Sequence, residues 1–427
     1  MSGILIRGGR IIDPANNRDE VGDLLMVEGR IADQSAITHQ LSAVEEIDAT
    51  GLIVSPGLID IHVHLREPGF GWKETIESGA RAAVAGGFTT VVCMPNTSPV
   101  ADSPSTIAWI KDRAAEVACV NVLPTGAISK NLAGEELAPI GSLAQAGVVA
   151  ITDDGHCIQN NELMRRAVEY ARMVGVPVLD HCQDYNLVGT GLVHEGYWST
   201  LLGLPGWPSA GEEAIVARNV LLAELCEHQI HCQHLSAAGS VRLLREARTR
   251  GVRVSGEVCP HHIALTDESV QNFDTNYKMN PPLRTGRDIE ALREGIADGT
   301  IEILASDHAP HAGFEKEVEF DRAPFGIVGL ETELGIFLNL LVHKHRTIDL
   351  PRLIQMLTWN PARLLGLKAG TLSLGAAADV TLIDPDLDWM VDVSRFESAS
   401  RNTPFDGWKL KGRAVRTIVR GKTVWQL

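Results

Sequence analysis

Apolar and polar positions change rhythm twice along this chain. Residues 1–55 carry short apolar runs, ILIRGG, RIID, DLLMVEGR, IADQ and EEIDATGLIV, separated by glycine turns. This pattern predicts strands and has no helical periodicity. After His64 a new rhythm sets in. The runs GLIDIHVH, TTVVCMP, VNVLPTGAI, VVAITDD, VPVLDHC, IHCQHLS, VRVSGEVCP and EILASDHAP alternate with segments such as 72–87, 161–175 and 240–251. Those segments place apolar residues three and four apart, the spacing of a helix with one buried face. Strand-then-helix units predict a parallel sheet, and a (β/α)8 barrel of the TIM type closes the eight of them without edges. A doubly wound sheet fits less well, because no GxGxxG turn follows the first strand.

Helical segments continue over 330–366, and the tail, GTLSLGAAADVTLIDPD then GRAVRTIVRGKTVW, returns to strands. Neither end alone offers enough strands for a core. The expected α/β architecture is therefore a barrel over 56–366 beside a small β-sandwich made from 1–55 and 367–427. Residues 183–212, with Gly, Pro and Trp, read as a long structureless connection after a barrel strand, a place where sites are often shaped.

Bulk properties narrow the function. A formal net charge of −16 argues against nucleic-acid and anionic-membrane surfaces, which need clustered Lys and Arg. It leaves room for a small anion held by one or two arginines. No apolar stretch approaches about 18 residues, and the N-terminus lacks a signal pattern. The seven cysteines are odd in number, form no CxxC and lie mostly in apolar runs, as reduced thiols of a cytoplasmic protein do. Cys182 neighbours His181 in a strand and so points the other way.

The chemistry starts in residues 52–69, LIVSPGLIDIHVHLREPG. The run breaks at Pro56-Gly57 and resumes as a strand from Leu58 to His64. Side chains alternate along a strand, so Asp60, His62 and His64 share a face, where the two imidazoles can bind one ion. Arg66 follows in the next loop. An HxH pair alone is more often structural, so the other strand ends decide, since barrel chemistry sits at the C-terminal ends. Those ends carry Asn96, Asp153 and Asp154, His181, His234, and Asp307 with His308. Buried groups of these types are rare at this density unless paired or metal-bound.

Four histidines with carboxylates suit Zn²⁺ or a similar ion. Six candidate ligands exceed one tetrahedral ion, and two ions sharing a carboxylate is the economical arrangement. Zinc lowers the pKa of water from about 15.7 to about 7, which supplies a nucleophile at neutral pH. Only one of Asp153 and Asp154 can point inward, and spacing does not choose between them. Asp307 is placed both to bind an ion and to carry a proton to a leaving nitrogen. Arg66 and Asn96 are placed to grip a substrate carboxylate, Arg by a forked contact. Glu257, His261 and His262 read as buried supporting groups, and His156, His228, His231, His343 and His345 as surface or helix-face positions.

The motifs HVHLREPG, GGFTTVVCMPNT, ITDDG, DHC, KMNPPLR, SDHAPH and PFGIVGLET together resemble the bacterial long-chain (class I) dihydroorotases of the amidohydrolase superfamily. The likeness runs from about residue 50 to 365, and the β-rich ends fit the superfamily's flanking sandwich. It implies one ion on His62, His64 and Asp307, another on His181 and His234, and Asp154 shared. It also implies a substrate carboxylate on Arg66, Asn96 and His311, with His64 beside it. The ring amide edges fall near Asn280 and the Phe325-Gly326 backbone, and Asp307 is the acid/base. The implied reaction is reversible closure of N-carbamoyl-L-aspartate to L-dihydroorotate and water, a step of pyrimidine synthesis.

Hydantoinases, allantoinases and some dihydroorotases bridge their metals with a carbamylated lysine on strand four. VVAITDDG has no lysine, which favours the aspartate-bridged class and leaves one or two zinc ions per chain open. A cyclic amidohydrolase of neutral rings is the competing enzyme, and the Arg66, Asn96 and His311 grip argues against it. A non-catalytic scaffold for aspartate transcarbamoylase is the competing class, but such a chain is expected to have lost ligands, and all six are present. Expected partners are the small substrate, a second copy in a homodimer, and a transcarbamoylase.

Overall fold

The computed structural model describes residues 2–33 and 43–427, so Gln34, the last residue of the expected strand IADQ, lies outside the described residues. The N-terminal region forms β1 (Ser2–Asp13), β2 (Arg18–Val27), β3 (Arg30–Ala32), β4 (Ala43–Asp48) and β5 (Ile53–Pro56). The eight barrel positions follow. They are β6 (Leu58–Val63), β7 (Phe88–Cys93), β8 (Asn121–Pro124), the single residue Ile151, β9 (Val178–Asp180), then, beyond the connecting pair β10 (Val193–His194) and β11 (Gly206–Trp207), β12 (Ile230–Cys232), β13 (Val254–Val258) and β14 (Ile303–Leu304). All neighbours pair in parallel, and a bridge between Val63 and His308 closes the ring. The protein is an α/β TIM barrel, with a β-sandwich built by the chain ends.

Strand four is shorter than its apolar run predicts. Only Ile151 pairs on both sides, with Gly126 and Val178. The Asp153 carboxylate then takes the N–H groups of Ile128 and Ser129 at 2.8 and 2.9 Å, so a side chain supplies acceptors that a longer ladder would have offered. The connection 183–212 is not structureless. It holds helices Tyr185–Val188 and Tyr197–Leu202 and the parallel pair β10–β11. Each piece is two to six residues long, with the helices bounded by Gly189, Gly196 and Gly203, and too short to display a period.

The sandwich closes through β15 (Val380–Met390), β16 (Lys409–Val419) and β17 (Lys422–Gln426). β15 pairs antiparallel with β5, which joins the two chain ends in one continuous hydrogen-bonded path of strands. Ile6, Ile11, Met26, Val54, Val380 and Ile418 belong to its own buried core. Helix Ile76–Gly86 connects this layer to the barrel. Thr75 and Ser78 form its capping box, and Gly87 ends it with φ 95°. The Thr381 hydroxyl donates to the Gly87 carbonyl at 2.6 Å and the Thr417 hydroxyl to the Val84 carbonyl at 2.7 Å. A Cβ on Gly87 would lie 2.8 Å from Ala414 Cβ. Gly87→Ala therefore combines left-handed strain with overpacking. A loss of about 1–3 kcal/mol is expected in denaturant unfolding, and an unchanged midpoint would show that the junction relaxes freely.

Candidate metal centre

Six side chains from five strand ends meet at the barrel mouth: His62, His64, Asp154, His181, His234 and Asp307, all buried. Asp154 lies at their middle and divides its oxygens. Oδ2 lies 3.3 Å from His62 Nε2 and 3.4 Å from His64 Nε2, whereas Oδ1 lies 3.3 Å from His181 Nδ1 and 3.4 Å from His234 Nε2. Asp307 Oδ1 reaches His64 Nε2 at 3.2 Å and His62 Nε2 at 3.5 Å. Ligand atoms of His62, His64 and Asp307 lie within 4.8 Å of one another, as do those of His62, Asp154 and His234. Asp153, adjacent to Asp154, faces away to Ile128 and Ser129. His308 also faces away, with Nε2 3.3 Å from Glu74 and Nδ1 accepting the Gly329 N–H.

The outer nitrogens of three rings are held by oxygen acceptors. His62 Nδ1–H donates to Glu257 Oε1 at 2.6 Å, His64 Nδ1–H to Asn96 Oδ1 at 3.0 Å, and His181 Nε2–H to Gln183 Oε1 at 2.8 Å. Each acceptor fixes a tautomer that turns a lone pair inward. His181 Nδ1 and His234 Nε2 then face each other at 2.7 Å, and His62 Nε2 and Asp154 Oδ1 are buried without a hydrogen bond. Carboxylate oxygens and inward lone pairs in excess of the donors among them are stabilised by a cation, so these residues fit a metal centre.

The electrostatics agree. Burial alone would raise the buried carboxylates, but the histidines outweigh it. His62 first, then His181 and His234, hold Asp154 well below the usual carboxylate range. His62 and His64 hold Asp307 below it. Glu257 is held at about 2 against burial by His62 and His231. Asp307, His234 and Arg66 have left-handed backbones, with φ of 47°, 33° and 61°, a strain that persists where surrounding structure over-determines it.

A cavity of about 220 Å³ opens on the cluster, lined also by Arg66, Asn96, Asn280, His311, Phe325 and Gly326. Arg66 Nε donates to the Pro310 carbonyl at 3.2 Å, and burial lowers its pKa to about 10. Both ring nitrogens of His311 have protein partners, Lys73 Nζ at 3.2 Å and the Phe325 carbonyl at 2.8 Å. Burial, then Arg66 and Lys73, lower His311 to about 2, so it is neutral. Asn280 Nδ2 donates to Gln183 Oε1 at 3.2 Å, while its buried Oδ1 has no partner.

Two expectations for the remaining histidines change, while His343 stands on a helix face as expected. His231 is fully buried between Ser255 and Glu257, at 2.8 and 3.0 Å, and is no surface group. His228 is buried too, donating to the Val176 carbonyl. His343 is half-buried and donates to the Pro385 carbonyl. Cys259, His261 and His262 form a third compact buried group. Burial raises that thiol well above its ordinary range and lowers His261 well below, so the group is neutral and brings no carboxylate to attract a cation. Gln183 and Lys73 went unread in the sequence. Gln183 stands two residues after His181, which is the one local signal for it.

Barrel, flanking sandwich and converging imidazoles and carboxylates define a metal-dependent amidohydrolase. The family description "Dihydro-orotase-like" matches residues 51–240, and "Amidohydrolase family" matches 216–425. The chain is 53% identical over 423 residues to a dihydroorotase of Pelotomaculum thermopropionicum, covering 99% of this chain and 98% of the relative. It is 50% identical over 423 residues to a dihydroorotase of Citrifermentans bemidjiense, covering 99% of each. The solved L-hydantoinase (dihydropyrimidinase) of Arthrobacter aurescens superposes with a TM-score of 0.89 at 26% identity, over 99% of this chain and 96% of that one. The chain belongs to the dihydroorotase family of the amidohydrolases.

Glu257→Gln should lower metal affinity about 10- to 100-fold, because an amide cannot accept from His62 and His231 together. Chelator competition with metal analysis reads this directly, and unaltered retention would remove Glu257 from the support of the centre.

Proposed function

We propose that this chain is a dihydroorotase, catalysing the reversible cyclisation of N-carbamoyl-L-aspartate to L-dihydroorotate and water in pyrimidine biosynthesis. The observation that carries this reading is Asp154, whose two oxygens divide between two histidine pairs beside a cavity holding Arg66. Full-length relatives named dihydroorotase support it. His62, His64 and Asp307 would hold one ion and His181 and His234 the other, with Asp154 shared. The nitrogen and oxygen donors suit Zn²⁺. Such ions, when bound, make water acidic enough to attack at neutral pH and withdraw electrons from a carbonyl.

The chain's own groups do the rest. Arg66 grips the substrate carboxylate in a forked contact, with Asn96 and His311 beside it. His311 is neutral, so the positive charge of the grip comes from Arg66. The free Oδ1 of Asn280 accepts from a ring N–H, and the Phe325-Gly326 backbone meets the other amide edge. Asp307 is ionised at neutral pH and so can take a proton. In the hydrolytic direction the proton passes from the attacking water to Asp307 and then to the leaving ring nitrogen, and cyclisation runs the same path in reverse.

A hydantoinase-like activity on neutral rings fits less well, since it gives the half-buried Arg66 in the cavity no anion to bind. Free cysteines fit a reducing compartment, the cytoplasm. Among the described residues no helix is long and apolar enough to cross a membrane. A homodimer and a complex with aspartate transcarbamoylase rest on the family resemblance alone.

Turnover of L-dihydroorotate against hydantoin and allantoin, with metal content measured on the same sample, tests the reading, and preference for a neutral ring would overturn it. Asp307→Asn should keep metal but lower kcat about 10²- to 10⁴-fold. Near-normal turnover would take the proton transfer away from Asp307. Arg66→Lys should raise KM roughly tenfold with a much smaller change in kcat, because a point charge replaces a fork. An unchanged KM would place the carboxylate elsewhere.

A further inference from the structure

The connection between β15 and β16 leaves the sandwich and runs to the barrel mouth. There the Ser398 hydroxyl donates to Glu74, the Ala399 N–H to Glu74 Oε1 at 3.0 Å, and the Ser400 hydroxyl to the Lys73 carbonyl at 2.6 Å. Asn402 comes next and is buried, 5% exposed. Its Nδ2 donates to the carbonyls of Ala309 and Gly326, both at 3.1 Å. Its Oδ1 accepts the His311 N–H at 3.0 Å, and its backbone carbonyl accepts the Val328 N–H at 2.9 Å.

One amide thus ties both ends of the loop 309–326, two residues beyond Asp307. The ends are already in contact, since a Cβ on Gly326 would lie 2.6 Å from Ala309 Cβ. The loop returns on itself a second time through His311 Nε2 and the Phe325 carbonyl. Two donors and one acceptor in a single plane are what an asparagine offers. An aspartate has the same shape and no donor. Buried carbonyls left unpaired, or facing a carboxylate, would push the loop open.

We propose that Asn402 is a positioning residue for the substrate-binding end of the site, holding His311 and the Phe325-Gly326 turn in register with Arg66. This rests on the dihydroorotase reading, because the loop matters to KM only if the substrate lies against it. Asn402 touches no metal-facing side chain, so its loss acts on binding and spares the centre.

The test compares Asn402→Asp with the wild-type metalloenzyme, using L-dihydroorotate and metal analysis. Expected is a KM about tenfold higher or more, kcat within about threefold and unchanged metal content. Ser398→Ala, which removes the one side-chain bond from this segment to Glu74 and leaves the Ala399 N–H bond and the loop untouched, should leave KM as it is. A wild type without dihydroorotate turnover would sink the functional reading. An active wild type with unaltered KM in Asn402→Asp would sink the positioning role alone. If Asn402→Asp does not fold, Asn402→Ser, which keeps one donor and one acceptor, takes its place under the same expectation. Failure of both to fold would also overturn the proposal, since Asn402 would then hold the fold itself.

Discussion

Two buried carboxylates facing four imidazoles, three of them with the basic nitrogen turned inward, are the constraint to which the barrel mouth answers. Asp154 and Asp307 lie within 3.5 Å of imidazole nitrogens, and water has little access to either. An isolated buried carboxylate would take up a proton, yet both are held in the ionised form by their surroundings. The cluster has acceptors in excess of donors. Such a set is stable only around positive charge, which is how a group of side chains becomes a metal site before any ion arrives.

The next layer gives that set its direction. Glu257, Asn96 and Gln183 each accept from the outer N–H of one ring, so three histidines present their basic nitrogen to one region. Glu257 reaches further, taking the His231 ring and the His234 N–H as well, and so couples β12 and β13 to the imidazole that β6 carries. The left-handed backbones of Asp307 and His234 show that the ligand positions override local preference.

The sandwich contributes more than a cover for the chain ends. Its strands clasp helix Ile76–Gly86 through Thr381 and Thr417, and its β15–β16 connection reaches Glu74, Lys73 and the loop that follows Asp307. The barrel mouth is therefore bounded on one side by residues nearly a hundred positions later in the chain than that loop. A Lys73 ammonium between His311 and Glu315 completes this flank.

Much of this was legible in the chain itself. Period-two and helical spacing determine the eight alternating units, and HxH, DHC and SDHAPH lie where strand ends must fall, because those signals act over a few residues. Strand four was overestimated, since its apolar run does not reveal that Asp153 will take the ladder's place. The sequence could not choose between Asp153 and Asp154, because alternation leaves the pair symmetric until neighbours appear. Folding breaks the tie: Ile128 and Ser129 draw one carboxylate outward, and four imidazoles from three distant strands surround the other. His231, Gln183 and Asn402 had no motif to mark them, for their roles are hydrogen bonds to residues far away in the chain. The ligands' identities are thus local information, while their convergence, their tautomers and the loop that frames them depend on contacts that only the closed barrel brings within reach.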